Sequence, residues 1–263
     1  VMREVFITAG CRTPIGNFGG VFLPLRAADL GVVAAREAMR RAGVSPEDID
    51  DVLVGNCMMR SDEINVARCI ALEAGVPFNV PAATIQRQCS SSMQAFVFGA
   101  QQIMLGEHDA ALIGGVENMS RVPMNSDAGP FHKVIQDRFA VVNQGISAEL
   151  IAERWDLSRE TLDRFSLESH KKAVEAIDAG KFEREIVPVP LDSAKGKSGE
   201  MLGVDETPRR DTTLEKLAAL KPSFMDNGKI TAGNSSQICD GAAAVMIMSA
   251  STAKERGLKP RAR

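Results

Sequence analysis

With 263 residues, 44% of them hydrophobic and 25% charged, the chain has the composition of a folded globular protein of one or two domains, which excludes a disordered or fibrous one. Lys plus Arg number 31 against 34 Asp plus Glu, so the net charge of -3 offers no global field for nucleic acid or an anionic membrane, and an anionic ligand needs a local basic cluster. One Trp, no Tyr and 11 Phe argue against base-stacking platforms and aromatic sugar shelves.

The first segment, VMREVFITAGCRTP, carries a predicted strand over 4–9 and then a turn signal; it is read as having neither the apolar region nor the cleavage site of a signal peptide. No stretch approaches the ~20 apolar residues of a membrane span. A helix follows over 27–42, with an apolar stripe at helical spacing and Gly43 as its stop. A strand at 51–55, a helix at 64–74, a strand at 83–87, a helix at 89–106 and a strand at 110–116 complete a βαβαβαβ run, which predicts a mixed, mostly parallel sheet flanked by helices. The helix at 89–106 contains no charged residue. A helix apolar nearly all round is buried on more than one side, so a second layer of structure is expected over it.

From residue 118 to about 233 the pattern changes to long irregular stretches, 121–130 and 187–208, around two polar amphipathic helices at 145–155 and 158–179. Ser158 is the predicted N-cap of the second helix and Gly180 its stop. An insertion this long between strands of an α/β core is usually functional. Within it, Lys195-Gly-Lys-Ser-Gly199 lacks the preceding glycine and strand of a phosphate loop and is read as a surface loop. A fifth strand is predicted at 242–248 and a further helix from 251.

The five cysteines, at 11, 57, 69, 89 and 239, are odd in number and form no CxxC pair. They fit reduced thiols in a cytoplasmic setting better than a disulfide framework or a metal site. Cys89 differs from the others in lying where a strand enters a helix, at the edge where open α/β sheets bind ligands. The helix dipole and free backbone N–H groups there favour a thiolate over a thiol of ordinary pKa ~8.5, and the same N–H groups suit an oxyanion. A buried structural cysteine is the alternative for any lone Cys.

Several segments carry a family resemblance. Cys11-Arg-Thr-Pro-Ile-Gly16, Phe18-Gly-Gly20, Arg87-Gln-Cys-Ser-Ser91, Gly114-Gly-Val-Glu-Asn-Met-Ser120, Thr231-Ala-Gly-Asn-Ser-Ser236 and Asp240-Gly-Ala-Ala-Ala244 resemble the motifs of thiolases, in that family's order. The resemblance implies a thiolase-like βαβαβαββ half with a five-stranded sheet, formed by 1–119 plus 235–263, and an inserted helical loop domain at 120–234 that holds coenzyme A. It implies Cys89 as the acylated nucleophile, Ser236 against the pantetheine, Ala232 in the same wall and Phe224 in support. It also implies Arg209 near the adenine and ribose phosphate end, within the basic pair Arg209-Arg210 that an anionic CoA needs. The implied function is acyl-CoA C-acyl transfer in fatty acid metabolism, by cleavage or condensation of 3-ketoacyl-CoA through an acyl-Cys89 intermediate. CoA and acyl-CoA are then substrates, with no permanently bound cofactor and no metal, and the protein is a homo-oligomer.

Three departures qualify the copy. Ser92 stands where the family usually has glycine, and Asn143-Gln144 where many biosynthetic members have His-Met. The Gly-His-Pro and Cys-Ile-Gly-Gly-Gly motifs of the family's second half do not occur in these residues. The histidines are His108 and His170, read as solvent-facing, and His132, read as able to line a groove. The acid–base groups are therefore expected from a C-terminal thiolase half in the same or another chain. The alternative function is a non-catalytic acyl-CoA-binding or assembly subunit completed by such a partner, and a cysteine hydrolase is the weaker third reading.

Overall fold

The computed structural model describes residues 2–126, 129–191 and 199–263, so residues 195–198 of the Gly-Lys-rich stretch lie outside the described residues. In chain order the first elements are β1 (Val5–Arg12), the two-residue β2 (Gly16–Asn17), α1 (Ala27–Ala42), β3 (Asp51–Gly55), α2 (Val66–Ala74), β4 (Ala82–Ile85), α3 (Ser91–Leu105) and β5 (Ala110–Asn118). Then come α4 (Lys133–Arg138), α5 (Gln144–Arg154), α6 (Arg159–Asp178), β6 (Val189–Pro190), β7 (Met201–Leu202), α7 (Leu214–Ala218), β8 (Cys239–Ser249) and α8 (Ala250–Glu255). Two compact units result. One comprises Val1–Ser126, Phe182–Glu206 and Ile238–Arg263; the other comprises Asp127–Lys181 and Thr207–Gln237.

The sheet of the first unit runs β1-β8-β5-β3-β4, with β2 added beside β8 as a short sixth strand. β3 is parallel to β4 and β5, while β8 is antiparallel to β1 and β5. Four of the five long strands therefore point one way, the mostly parallel sheet that the βαβ order predicts. Strand alternation sorts the side chains onto two faces. Val52, Val54, Leu112, Met246 and Met248 pack with α1 and α2, whereas Leu53, Ala111, Ile113 and Ile247 pack with α3. The first helix ends at Gly43 in the left-handed region (φ 61°), as its sequence predicts.

α3 buries only the stripe Ser91, Ala95, Gly99 and Ile103, which lies against the sheet. Its other face presents Met93, 67% exposed, and Leu105, 71% exposed, together with Val97, Phe98 and Met104. The second layer expected from the uncharged sequence is not among the described residues, and the helix is buried on one side only.

The inserted stretch also divides differently from the 120–234 boundary. Phe182–Glu206 belongs to the sheet unit. Arg12 at the end of β1 explains this. Its guanidinium grips both oxygens of Asp205 at 2.7 and 3.0 Å and Glu185 at 2.6 Å, and it lies 5.3 Å from the centre of the Phe182 ring. The backbone continues the contact, with Arg12 N–H donating to Glu185 and Val187 N–H donating to Arg12. The short β6–β7 pair and helices α4 and α7 arise in stretches whose sequence shows no period.

Near the end of α1, Glu37 accepts from Arg40 and Arg41 of the last turn, each at 2.7 Å. The Arg40 hydrogen bond, with help from Arg41 and against burial, holds the Glu37 carboxyl down from its ordinary 4.5 to about 2. A depressed carboxyl stabilises the fold above its unfolded pKa, so this contribution is present above pH 4.5 and fades as pH falls toward 2. A nuclear magnetic resonance titration is expected to place the Glu37 midpoint near 2. In Glu37→Gln, the acid-unfolding curve is expected to lose that component; an unchanged curve contradicts the assignment.

Candidate active site

Cys89 lies in the turn between β4 and α3, at the carboxyl edge of the parallel strands, and it is exposed. The helix begins two residues later, at Ser91. Gln88, just before the cysteine, is a non-glycine residue with φ of 50°. That left-handed conformation costs about 1 kcal/mol or more and needs outside support. Ser91 supplies it. Its N–H donates to Gln88 O at 3.0 Å, its hydroxyl donates to the same oxygen at 2.5 Å, and that hydroxyl accepts Arg87 N–H at 2.9 Å. The thiol of Cys57 donates to Gln88 Oε1 at 3.2 Å. Ser90, the N-cap of α3, makes no side-chain cap bond. The N–H groups of Ser92 and Met93 are thus first-turn donors that neither the helix nor its cap residue occupies, beside the exposed thiol.

The helix start is lowered onto the sheet by two glycines paired in register, Gly55 of β3 and Gly115 of β5. A Cβ on Gly55 would stand 2.2 Å from Ser92 N, and one on Gly115 would stand 2.6 Å from Ser92 Cβ. Ser92 is accommodated because the strand beneath it has no side chain there.

Around this floor, buried polar groups join the loops that follow the strands. Asn56 donates to Val116 O at 2.9 Å, and the Glu117 carboxylate accepts the N–H groups of Cys57 and Met58. Burial pushes the Glu117 carboxyl up. Asn118 donates to Phe22 O and Leu25 O at 3.0 and 2.8 Å. Ser120 donates its N–H (2.9 Å) and hydroxyl (2.5 Å) to fully buried Asp240, and its hydroxyl accepts Gly19 N–H at 2.7 Å. The segments containing Gly19, Ser120 and Asp240 are thereby brought together. Their sequence signal was visible as motifs, but not the roles of Glu117, Asn118, Ser120 and Asp240 as the wiring.

The second unit carries the other sequence-selected residues. Phe224 lies over α5, where a Cβ on Gly145 would be 2.1 Å from its ring. Ala232 and Ser236 are exposed, on a turn fixed from inside. In that turn Thr231 N–H donates to Asn234 Oδ1 at 2.8 Å, and Asn234 Nδ2 donates to Asp163 at 2.9 Å and to Lys229 O at 3.0 Å. Of the basic pair, Arg210 is held by Asp178 at 2.7 Å, drawing that carboxyl down. The exposed Arg209 guanidinium has no ion pair among the described residues. Also among the described residues, no group of three His, Cys, Asp or Glu side chains is placed to hold a metal ion. No helix there is long and apolar enough to cross a membrane.

A family model described as "Thiolase, N-terminal domain" matches residues 5–251. The chain belongs to the thiolase family. It is 40% identical over 277 residues to beta-ketothiolase BktB of Cupriavidus necator, covering 99% of this chain and 70% of that protein. It is 41% identical over 278 residues to steroid 3-ketoacyl-CoA thiolase FadA6 of Mycobacterium tuberculosis, covering 100% of this chain and 66% of that one. Among solved structures, the Bacillus anthracis acetyl-CoA acetyltransferase superposes with a TM-score of 0.88 at 40% identity, over 98% of this chain and 68% of its own. The human mitochondrial 3-ketoacyl-CoA thiolase, in complex with CoA, superposes with a TM-score of 0.84 at 36% identity, again over 98% and 68%. The protein is thus a thiolase-type acyltransferase by family, and the chain spans about 70% of the length of such relatives.

The departures from the thiolase pattern acquire local explanations. Asn143 is the N-cap of α5, its Oδ1 accepting Gly145 N–H at 2.8 Å, a position that asparagine fills well. The histidines differ from their sequence reading. His108 is half-buried with Nε2 3.8 Å from Asp51, and His170 is half-buried with Nδ1 accepting Arg209 N–H at 3.1 Å, so neither simply faces solvent. Burial and the Arg209 charge both lower the His170 pKa. His132 caps α4, accepting Val134 N–H at 3.3 Å. Cys11 is buried and its thiol is pushed up to about 11 by that burial, and burial also raises Cys69 and Cys239.

Proposed function

We propose that this thiolase-family chain carries the acylated nucleophile, Cys89, and a CoA-binding wall formed by Arg209, Phe224, Ala232 and Ser236. The observation that carries the proposal is the placement of Cys89, exposed beside the open first turn of α3. In thiolysis the Cys89 thiolate attacks the 3-keto carbonyl and forms a C–S bond. The bond between the substrate's α- and β-carbons then breaks, and the electron pair leaves on the acetyl-CoA carbanion, which takes up a proton. The thiol of a second CoA attacks the acyl-Cys89 thioester, gives up its proton, and releases acyl-CoA and the free Cys89 thiol. First-turn N–H groups of α3 suit the oxyanion of these additions. Condensation is the reverse course.

The hydrogen bonds of Thr231 and Asn234 fix the turn at residues 231–236, which suits it to the pantetheine wall, and the Arg209 guanidinium, with no ion pair among the described residues, suits the phosphate end of an anionic ligand. CoA and acyl-CoA act here as substrates, with no permanent cofactor. Within the 120–234 insertion, the proposal assigns a CoA-holding role to the part that forms the second unit, Asp127–Lys181 and Thr207–Gln237. It assigns the protein to cytoplasmic fatty acid metabolism as a homo-oligomer, and takes the acid–base groups from a second thiolase half in the same or another chain. The uncovered apolar face of α3 and the greater length of the relatives support that last assignment.

The test is iodoacetamide labelling at pH 8 together with CoA-dependent thiolysis of 3-ketoacyl-CoA substrates. Cys89 is expected to react about 10-fold or more faster than Cys11, Cys69 and Cys239, whose thiolates are disfavoured by burial. Loss of thiolysis should parallel Cys89 modification. Slow labelling with no turnover on any 3-ketoacyl-CoA overturns the proposal in favour of a non-catalytic binding subunit.

A further inference from the structure

Two residues on one face of α5, Gly145 and Glu149, stand four positions apart and touch opposite ends of the same arch of chain. Gly145 receives the Phe224 ring, since any Cβ there would be 2.1 Å from it. Glu149 is only 6% exposed. Its two carboxylate oxygens accept consecutive backbone N–H groups, Oε2 from Lys229 and Oε1 from Ile230, both at 2.8 Å. The next residue, Thr231, is fully buried and opens the turn that presents Ala232 and Ser236. On its other side the turn is tied through Asn234 to Asp163 of α6, 2% exposed, which in turn holds Arg159 at 2.8 Å.

A carboxylate buried to this degree and engaged by backbone donors at both oxygens is costly to desolvate, and it ties two consecutive amides to one side chain. Leucine or methionine would fill the same volume without fixing the arch. We propose that Glu149 is a positioning residue for coenzyme A: it sets the 229–231 backbone so that Ala232 and Ser236 stand at a fixed offset from Phe224 across the pantetheine. This rests on the assignment of those three residues to the CoA wall. Glu149 acts on the wall through the two amides it accepts. Its effect therefore falls on CoA affinity and leaves the intrinsic reactivity of the nucleophile unchanged.

The test titrates CoA calorimetrically into the full-chain protein and into Glu149→Gln, Glu149→Asp and Ser236→Ala, with iodoacetamide alkylation of Cys89 measured in each. A glutamine offers one acceptor and one donor, so one of the two amides faces an N–H. CoA affinity is expected to fall about tenfold or more in Glu149→Gln, with the Cys89 alkylation rate within about twofold of wild type. Glu149→Asp keeps both acceptors on a shorter arm and is expected to be intermediate. Wild-type CoA affinity in Glu149→Gln overturns the inference, as does a parallel loss of CoA binding and alkylation, which marks a general structural role. Should Glu149→Gln not fold, Glu149→Asp decides: weakened CoA with unchanged alkylation supports the role, and unchanged CoA overturns it. If wild type takes up no CoA, or Ser236→Ala binds it as wild type does, the wall assignment itself falls. If CoA binds and Ser236→Ala weakens it while Glu149→Gln does not, only the role of Glu149 falls.

Discussion

Gly55→Ala is expected to lower stability by about 3 kcal/mol or more and to cut acyl transfer by about 100-fold. The new methyl would lie 2.2 Å from Ser92 N and 2.5 Å from both Ser91 C and Ser92 Cα. These are backbone atoms in the first turn of a helix and cannot rotate away. Either β3 or the start of α3 must shift, and Ser91, which holds Gln88 in its left-handed conformation, moves with the helix. Cys89 is then displaced relative to the first-turn N–H groups. Thermal unfolding is expected to show a fall of about 6–12 °C, and Cys89 alkylation should change along with it. A variant that melts and reacts like wild type would show that the helix start is not seated as described.

Gly115→Ala gives a sharper form of the same test, because the collision there is with a side chain, Ser92 Cβ at 2.6 Å. Replacing Ser92 with glycine removes the obstacle. The double variant Ser92→Gly/Gly115→Ala is therefore expected to be more stable than the sum of its parts, by about 1–2 kcal/mol of coupling. Additive effects would mean that Ser92 and Gly115 do not share the contact.

Arg12→Ala is expected to destabilise the sheet unit by about 2–3 kcal/mol, since it leaves a half-buried carboxylate without its charged partner. The Asp205 side chain is 9% exposed, and among the described residues the Ile15 N–H, at 2.8 Å, is the one hydrogen-bond donor left to it without Arg12. The Glu185 contact and the Phe182 stack are lost at the same time. Denaturant unfolding should show the loss, and limited proteolysis should open the 182–206 segment, which Arg12 ties to β1. Arg12→Lys, which keeps the charge but lacks the planar fork, is expected to fall between. Adding Asp205→Asn to Arg12→Ala should recover part of the stability by removing the unpaired charge. Proteolysis unchanged from wild type would sink this account of the segment.

Most of the sheet unit was legible because its helices and strands repeat at different periods. The helix at 27–42 was bounded by its apolar stripe and Gly43, and α5 and α6 matched their predicted spans to within a residue or two. The short elements escaped. β6, β7, α4 and α7 are two to six residues long, too brief for any period to show. Phe182–Glu206 was placed in the insertion because its attachment, Arg12 to Asp205, joins residues 193 positions apart. The candidate nucleophile was legible from its strand-to-helix junction. Its exposure, and the support for Gln88 from Ser91 and Cys57, were not.

By itself the sequence determined the order of crossovers, the junction at which Cys89 sits, the uncharged character of α3 and the motifs that mark the thiolase family. All of these depend on residues close together along the chain, whose periodicity and turn chemistry act locally. Only the tertiary structure decided that Gly55 and Gly115 form the floor beneath Ser92, that among the described residues the Arg210 guanidinium has an ion pair while that of Arg209 has none, and that Glu149 holds the arch before Ala232. Each of these depends on which distant segments pack at van der Waals distance. Such packing is set by the summed burial of the whole core, which no local stretch encodes.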